Sequence, residues 1–421
     1  MKLERFKEKD NKRKFIIIFT VCCVFLLAGV FLYTSFAVFT EDKQFNVING
    51  TYQDPGDLYF AVYVDGEIAN TIPSKDSGYT LDTEKSSCTN GATITWDNTN
   101  WTAIVNLSNY SSGNMSRTKC TMYFKKMSFT DSILACNDTA ANCIKDNAGL
   151  SNEIATDDPD NNARYIGANP NNYVLFNNEL WRIIGVMNNI DNGSGIKETR
   201  LKIIRNESIG EYSWDYDSTR NYNNNWTSSQ LMDLLNNGAY YNRTTGSYYN
   251  GSTTATTVDF SNNGLTLEAK SMVNTTLWNL GGISNISDTA SAFYTNERGT
   301  VVYNGNTATW IGNIGLMYPS DYGYATSGGS TGRKACLSYK LASWRSYSDC
   351  YNHDWLYNGT HQWTLTVSAT GDMTVVNVNS GGIVTYLANM SSSVFPAIYL
   401  SSNVKITSGD GSESNPFTLS L

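Results

Sequence analysis

An uncharged apolar run near the N-terminus constrains this chain more than any other feature. Residues 15–39 read FIIIFTVCCVFLLAGVFLYTSFAVF and follow a strongly basic segment, residues 1–14. The run exceeds the roughly 20 apolar residues that a membrane helix needs. Basic flanks stay in the cytoplasm. We therefore predict a cytoplasmic basic tail at 1–14, a transmembrane signal anchor at 15–39, and a single-pass protein of the cell membrane whose bulk is extracellular.

A cleaved signal peptide is the alternative for the same segment. Ser35 and Ala37 are small residues with the spacing that a signal peptidase inspects. The apolar run is longer than an ordinary signal-peptide core, and this favours the anchor. Under both interpretations the chain after about residue 40 is exported.

The charge composition argues against nucleic acid as a partner. Among 421 residues only 16% are charged, and the formal net charge is −8. Binding to phosphate backbones requires a clustered basic surface. Basic residues cluster only in the N-terminal tail, which precedes the apolar run.

Six cysteines lie outside the apolar run and fall into couples that are close in sequence. Six cysteines permit 15 connectivities, and the local one is the simplest. Disulfides suit an exported protein, and neither a CxxC couple nor a histidine cluster favours a metal site. The predicted pairs are Cys88 with Cys120, Cys136 with Cys143, and Cys336 with Cys350.

Residues 40–126 have the pattern of a small all-β module. The stretch DLYFAVYVDGEIANTI alternates apolar and polar residues and contains Asp65-Gly66, a strong hairpin signal. Two later stretches, ATITWDNTNWTAIVNLS and KCTMYFKK, continue the β pattern. We predict a β-sandwich-like module.

Residues 127–160 are predicted to be a connector with one or two short helices and an acidic loop. Asp157, Asp158 and Asp160 have the oxygen ligands that calcium prefers. The regular spacing of a calcium loop is missing, so a solvated turn is favoured and no cofactor is predicted.

Residues 161–421 are predicted to form one mixed α+β domain. A turn at Asn177-Asn178 separates two strand patterns, and residues 226–236 have helical periodicity with Thr227 or Ser228 as the N-cap. Its buried face is predicted to contain Leu231, Leu234 and Leu235.

Two further segments of this domain carry periodic apolar residues. The stretch TLEAKSMVNTTLWNL predicts a second amphipathic helix that buries Leu267, Met272 and Val273. In HQWTLTVSATGDMTVVNVNSGG, residues 361–382, the alternation of Trp363, Leu365 and Val367 predicts a strand with one buried face.

Five motifs follow one another over residues 161–410: WRIIGV at 181–186, LMDLLN at 231–236, SDYG at 320–323, WTL at 363–365 and FPAIYL at 395–400. Their order resembles that of the uncharacterised bacterial surface domains called DUF6273. The resemblance implies a C-type-lectin-like fold, shared with the formylglycine-generating enzymes, in which the first and last strands of the domain pair. It places Trp181–Val186 beside Phe395–Leu400.

Catalytic patterns are sparse, and we predict that the protein is not an enzyme. His353 and His361 are the only histidines, and neither has a nucleophile motif nearby. An oxidase resembling the formylglycine-generating enzymes would need a reactive cysteine couple. Within this domain only Cys336 and Cys350 qualify, and a structural disulfide explains them better.

The segment 338–362, SYKLASWRSYSDCYNHDWLYNGTHQ, is the candidate binding loop. Aromatic rings beside amide and charged groups suit non-catalytic recognition or adhesion, with a glycan or a surface protein as ligand. Trp344 and Trp355 packing inward against the disulfide is an equally weighted alternative for the loop. A structural role in envelope assembly is the alternative for the protein. The candidate ligand-binding residues are Trp344, Arg345, Tyr347, Asp354, Trp355, Tyr357, Asn358 and His361.

Overall fold

The computed structural model describes residues 58–75, 77–97, 100–106 and 118–421. The chain divides into two compact units, Met1–Lys126 and Met127–Leu421. The predicted cytoplasmic tail and signal anchor lie outside the described residues. Among the helices of the described ranges, none is long and apolar enough to cross a membrane. Sheets dominate the described part of both units, and the helices described there are short.

The first unit contains a sheet and a separate hairpin. The sheet has the order β2-β1-β7-β3, with β4 also on β7, and β1 runs parallel to β7. The hairpin is formed by β5 and β6. The strands are β1 (Leu58–Val64), β2 (Glu67–Ala69), β3 (Tyr79–Leu81), β4 (Ser87–Cys88), β5 (Thr93–Asp97), β6 (Thr102–Asn106) and β7 (Thr118–Lys126).

The hairpin supplies part of the core of the first unit. Ala103 of β6 is fully buried and belongs to the same apolar cluster as Val62 of β1 and Phe124 of β7. The turn between β1 and β2 is at Asp65 and Gly66, whose φ angles are 51° and 86°. This is the left-handed backbone that an Asp-Gly hairpin turn requires.

The second unit is built on two large sheets. A nine-stranded sheet has the order β18-β23-β12-β11-β10-β25-β24 with β8 and β9 attached, and a five-stranded sheet has the order β13-β22-β19-β20-β21. Two small two-stranded sheets complete the sheets of this unit. The strands are β8 (Ile154–Ala155), β9 (Ala163–Tyr165), β10 (Tyr173–Phe176), β11 (Glu179–Asp191), β12 (Lys197–Arg205), β13 (Glu211–Ser213), β14 (Thr245–Tyr248), β15 (Thr256–Asp259), β16 (Thr276–Asn279), β17 (Thr309–Gly312), β18 (Ile314–Gly315), β19 (Gln362–Val367), β20 (Thr374–Asn379), β21 (Gly382–Leu387), β22 (Ser391–Ser393), β23 (Ala397–Tyr399), β24 (Lys405–Ser408) and β25 (Phe417–Ser420).

Short helices connect these strands, and three single 3₁₀ segments lie at 148–150, 226–228 and 341–346. Side-chain caps begin several of the helices. Ser229, for example, accepts a hydrogen bond from the Met232 N–H. The helices are α1 (Phe129–Ala135), α2 (Ala140–Asn147), α3 (Gln230–Asn236), α4 (Ala239–Asn242), α5 (Leu267–Met272), α6 (Ala290–Glu297), α7 (Pro319–Tyr324), α8 (Arg333–Ser338) and α9 (Ser348–Asn352).

The segment predicted to be a connector, residues 127–160, is part of the second unit. Ile133 of α1 and Ile144 of α2 are 1% and 0% exposed and join the main apolar core. β8 pairs with β9, which pairs with β11 of the nine-stranded sheet. The segment therefore packs as a structural layer of this unit, because its apolar side chains have a core to bury against.

The strand pairing implied by the resemblance differs from the observed pairing. β12 lies between the strand that contains Trp181–Val186 and the strand that contains Ala397–Tyr399. An early strand of the second unit does pair with its last strand: β10 runs parallel to β25. The two segments named in the prediction are therefore second neighbours in one sheet.

All three predicted disulfides are confirmed. Cys88–Cys120 joins β4 to β7, Cys136–Cys143 joins α1 to α2, and Cys336–Cys350 joins α8 to α9.

Candidate functional site

A cleft of about 480 Å³ opens where residues of the two large sheets meet in the second unit. One wall comes from β11, the end of β12 and the residues after it. The other comes from the segment before β19 and the end of β22. The lining residues are Ala168, Arg182, Ile204, Arg205, Asn206, Glu207, Ser208, Trp355, Leu356, Tyr357, Asn358, Thr360, Gln362, Ser393 and Phe395.

The loop wall presents two aromatic side chains and an amide. Trp355 is 7% exposed, and its indole N–H donates to the carbonyl of Tyr165 at 2.8 Å. Tyr357 is half-buried, with its ring centroid 5.2 Å from that of Tyr351. Asn358 is exposed beside them. The Asn358 Oδ1 accepts hydrogen bonds from the Thr360 N–H and hydroxyl. The loop therefore offers a fixed ring, a partly accessible ring and an exposed amide.

The strand wall presents two guanidinium groups that differ in their surroundings. Arg205 is paired with Glu179, with 2.6 Å between Nη2 and Oε2, and its Nη1 donates to the carbonyl of Glu207. Arg182 is 8% exposed and donates to neutral oxygen atoms only, beginning with Asn172 Oδ1 at 2.8 Å. Desolvation lowers the pKa of Arg182 to about 10.

Hydrogen bonds hold the loop to the sheet beneath it. Gln362 at the start of β19 is buried, and its Nε2 donates to the carbonyl of Leu356 at 2.7 Å. The backbone N–H of Ser393 in β22 donates to the carbonyl of His361. The cleft is thus pre-formed by backbone and side-chain contacts, and it can receive a polar ligand at low ordering cost.

Three of the eight predicted ligand-binding residues line this cleft. They are Trp355, Tyr357 and Asn358. Arg345, Tyr347 and His361 are exposed but lie outside it, and Tyr347 stacks on Tyr339 with ring centroids 4.0 Å apart. The structure therefore brings together only the C-terminal part of the 338–362 loop.

The prediction that Trp344 binds the ligand is wrong, because its side chain is fully buried and no ligand can reach it. Its indole N–H donates to the carbonyl of Cys336 at 3.2 Å, and its ring lies 5.2 Å from that of Tyr322. The inward alternative is correct for this residue. Cys336 and Cys350 are also fully buried and are bonded to each other, so neither supplies a free thiol.

The prediction that Asp354 binds the ligand is also wrong, since this residue is 2% exposed and does not line the cleft. Its Oδ1 accepts a hydrogen bond from the backbone N–H of Leu356 at 2.9 Å. Desolvation raises the pKa of this carboxyl group well above its ordinary value. Asp354 is a buried structural residue that shapes the turn before the cleft residues through this hydrogen bond.

The acidic turn considered for calcium is also different from the expected solvated loop. Asp158 is 4% exposed and forms a salt bridge with Arg164, with 2.5 Å between the carboxylate and Nε. Asp157 pairs with Arg333, and Asp160 accepts from the Tyr294 hydroxyl. Within the described part of the chain, no group of three or more His, Cys, Asp or Glu is placed to hold a metal ion.

Arg182 and Ser393 are the cleft residues that the sequence analysis missed most clearly. Arg182 interrupts the apolar run Trp181-Arg182-Ile183-Ile184, and a charged residue in a buried strand is the signal that could have marked it. Ser393 lies in a run of three serines at the end of β22 and carries no comparable signal.

No known protein family, curated protein or solved structure matches this chain. What the cleft binds is therefore inferred from the chemistry of its own side chains.

Proposed function

We propose that this chain is a non-catalytic recognition protein that binds carbohydrate through the cleft described above. The observation that carries the proposal is the convergence of Trp355, Tyr357, Asn358 and Arg182 on one open site. A sugar presents apolar C–H faces and a ring of hydroxyl groups. Aromatic rings cover such faces, while amides and guanidinium groups bond the hydroxyls.

The rigidity of the site supports recognition of a defined ligand. Trp355 is fixed by its hydrogen bond to Tyr165, and Gln362 fixes the backbone just before Tyr357 through its hydrogen bond to the Leu356 carbonyl. Side chains that are already ordered lose little conformational entropy when a ligand binds. Affinity can then come from a few contacts.

We also propose that the protein acts at the cell surface, anchored in the membrane by residues 15–39. The three disulfides of the described residues are compatible with an extracellular protein, because such bonds persist in oxidising surroundings. The basic segment before the apolar run supports a cytoplasmic N-terminus.

A C-type-lectin-like fold and kinship with the DUF6273 domains belong to the same proposal. The pairing of β10 with β25, near the two ends of the second unit, is compatible with that fold. The insertion of β12 between the two segments expected to be neighbours is a departure from it.

The test is binding of the full-length chain, purified in detergent, to a glycan array. We expect selective binding to a subset of glycans. Replacing Tyr357, which lines the cleft, by Ala should lower the affinity for those glycans about tenfold, the equivalent of 1.4 kcal/mol.

Tyr347→Ala is the matched control for this experiment. Tyr347 belongs to the same loop and loses the same side-chain atoms, but it lies outside the cleft. Its replacement should leave glycan binding as in the unaltered chain. Equal losses in both variants, or a folded sample that binds no glycan on the array, would contradict the proposed function.

A further inference from the structure

Arg182 occupies an unusual position for a charged residue. It lies in β11 on the wall of the cleft and is 8% exposed. Its guanidinium carbon is 4.2 Å from the ring centroid of Tyr173 and 4.6 Å from that of Trp355. The rings hold the guanidinium plane in place and supply part of the stabilisation that water would give.

The hydrogen bonds of Arg182 leave one of its nitrogen atoms unused. Nε donates to Asn172 Oδ1 at 2.8 Å, and Nη2 donates to Asn169 Oδ1 at 3.1 Å and to the Pro170 carbonyl at 3.2 Å. All three acceptors are uncharged amide oxygens. Nη1 has no partner among the described residues, and Arg182 lines the cleft.

Charge pairing separates Arg182 from the other buried arginines of the described residues. Arg164 forms a salt bridge with Asp158 at 2.5 Å, and Arg200 forms one with Glu198 at 2.6 Å. Within the same ranges no carboxylate lies within salt-bridge distance of Arg182. Of the carboxylates in the described residues, only the more distant ones of Glu153 and Glu413 act electrostatically on Arg182. A buried cation with no carboxylate in contact costs free energy that an arriving anion would recover.

We propose that the cleft selects anionic saccharides and that Arg182 binds their negatively charged group. This inference rests on the proposed carbohydrate recognition and names the class of sugar. The anion accepts a hydrogen bond from the free edge of the guanidinium, while Asn358 and Tyr357 contact the sugar ring. Glu207, the single carboxylate in the lining, is exposed and is hydrogen-bonded by Asn206.

The experiment compares matched pairs of probes on the full-length chain in detergent. Trigalacturonate is titrated against its methyl ester, and sialyllactose is titrated against its methyl ester, so that each pair differs in one kind of group. Mannose 6-phosphate and mannose distinguish a phosphate from a carboxylate. We expect the charged member of at least one pair to bind about tenfold or more tightly, because hydrogen bonds to charged groups are the stronger kind.

Two substitutions separate the charge of Arg182 from its structural contacts. Arg182→Gln should bring the affinity ratio of charged to neutral probe close to one, because the charged probe loses much more affinity than the neutral one. Arg182→Lys retains a cation and should retain part of the preference. Arg345→Gln is the control: it removes an exposed positive charge from the 338–362 loop outside the cleft. It should leave the affinity ratio unchanged.

Each failure has a distinct meaning. Equal binding of charged and neutral probes, still reduced by Tyr357→Ala, overturns the anionic preference and leaves the carbohydrate proposal in place. A preference that persists in Arg182→Gln overturns the role of Arg182. If no member of any pair binds, the anionic-saccharide inference is overturned, and the glycan array alone decides the proposed function.

Discussion

At the scale of single residues, Glu297 shows how burial competes with hydrogen bonding for control of a charge. Its carboxyl group is fully buried at the end of α6 and accepts hydrogen bonds from the N–H and the hydroxyl of Ser320. Arg298 adds a positive charge 3.3 Å away. Desolvation outweighs these contacts and raises the pKa of Glu297 to about 7.

This raised pKa predicts a pH-dependent loss of stability. Between the unfolded value of 4.5 and about 7 the folded chain keeps a proton that the unfolded chain has released. Stability from this group is therefore full below pH 4.5 and is lost as the pH rises through 7, by about 3 kcal/mol in all. Glu297→Gln cannot ionise and should not show that loss.

Urea unfolding of the unaltered chain and of Glu297→Gln, at pH 5 and pH 8, checks this prediction. The free energies of unfolding should be similar at pH 5. At pH 8 the variant should be the more stable of the two. Parallel pH profiles would show that Glu297 is ionised throughout or that its proton does not matter to the fold.

At the scale of elements, the Cys336–Cys350 disulfide organises the region before the cleft. It joins α8 to α9, and the 3₁₀ segment Leu341–Ser346 between them carries the buried Trp344. The Cys136–Cys143 disulfide closes a loop in a part of the unit that contributes nothing to the cleft lining. The two bonds should therefore differ in their effect on binding.

Replacing Cys336 and Cys350 together by Ala should lower the free energy of unfolding by about 3 kcal/mol, because the unfolded chain gains loop entropy. It should also weaken glycan binding, since the backbone that leads to Trp355 is less constrained. Cys136→Ala with Cys143→Ala should cost a similar free energy of unfolding and leave affinity unchanged. Chemical denaturation and glycan titration of both double variants measure the two effects, and equal affinities in all three proteins would contradict the difference.

Local sequence signals predicted elements well where the backbone alone decides. Asn177 and Asn178 both adopt positive φ, 58° and 61°, as their hairpin turn requires. The helix α3 buries the three leucines predicted for its inner face. The predicted N-cap, Thr227 or Ser228, is one or two residues too early. A 3₁₀ segment occupies Trp226–Ser228, so the α-helix begins after it with Ser229 as its N-cap.

Predictions failed where a neighbouring element decides. Leu267, expected to be buried, is 85% exposed at the first position of α5, and Ala269 faces the core instead. In β19 both faces are buried, so Thr364 and Thr366 are as inaccessible as Trp363. The strand is central in its sheet, and Thr364 is accommodated by donating its hydroxyl to the Val376 carbonyl.

At the scale of the whole molecule, the cleft was predictable on one side only. The loop wall is a contiguous stretch rich in aromatic residues, and its composition marked it. The strand wall depends on how β11 and β12 are ordered in the nine-stranded sheet, and β12 lies where the resemblance placed no strand. Positions separated by more than a hundred residues meet only once that topology is known.

The boundary of the second unit gives a prediction about the whole fold. Residues 127–160 contribute Ile133 and Ile144 to its core and pair β8 with β9. A chain of residues 127–421 should therefore fold alone and show one cooperative thermal transition. A chain of residues 161–421, cut where the sequence suggested that the domain begins, loses these contacts. Truncating one buried isoleucine to Ala alone lowers the free energy of unfolding by about 2–5 kcal/mol.

Near-ultraviolet circular dichroism, which reports fixed aromatic packing, distinguishes the two fragments. The longer one should show a sharp spectrum lost in a single step on heating. The shorter one should lack that spectrum or melt at a much lower temperature, since a typical folded domain has only about 5–15 kcal/mol to lose. Equal melting temperatures would mean that 127–160 is the connector its sequence suggested, and that α1 and α2 cover a core that is stable without them.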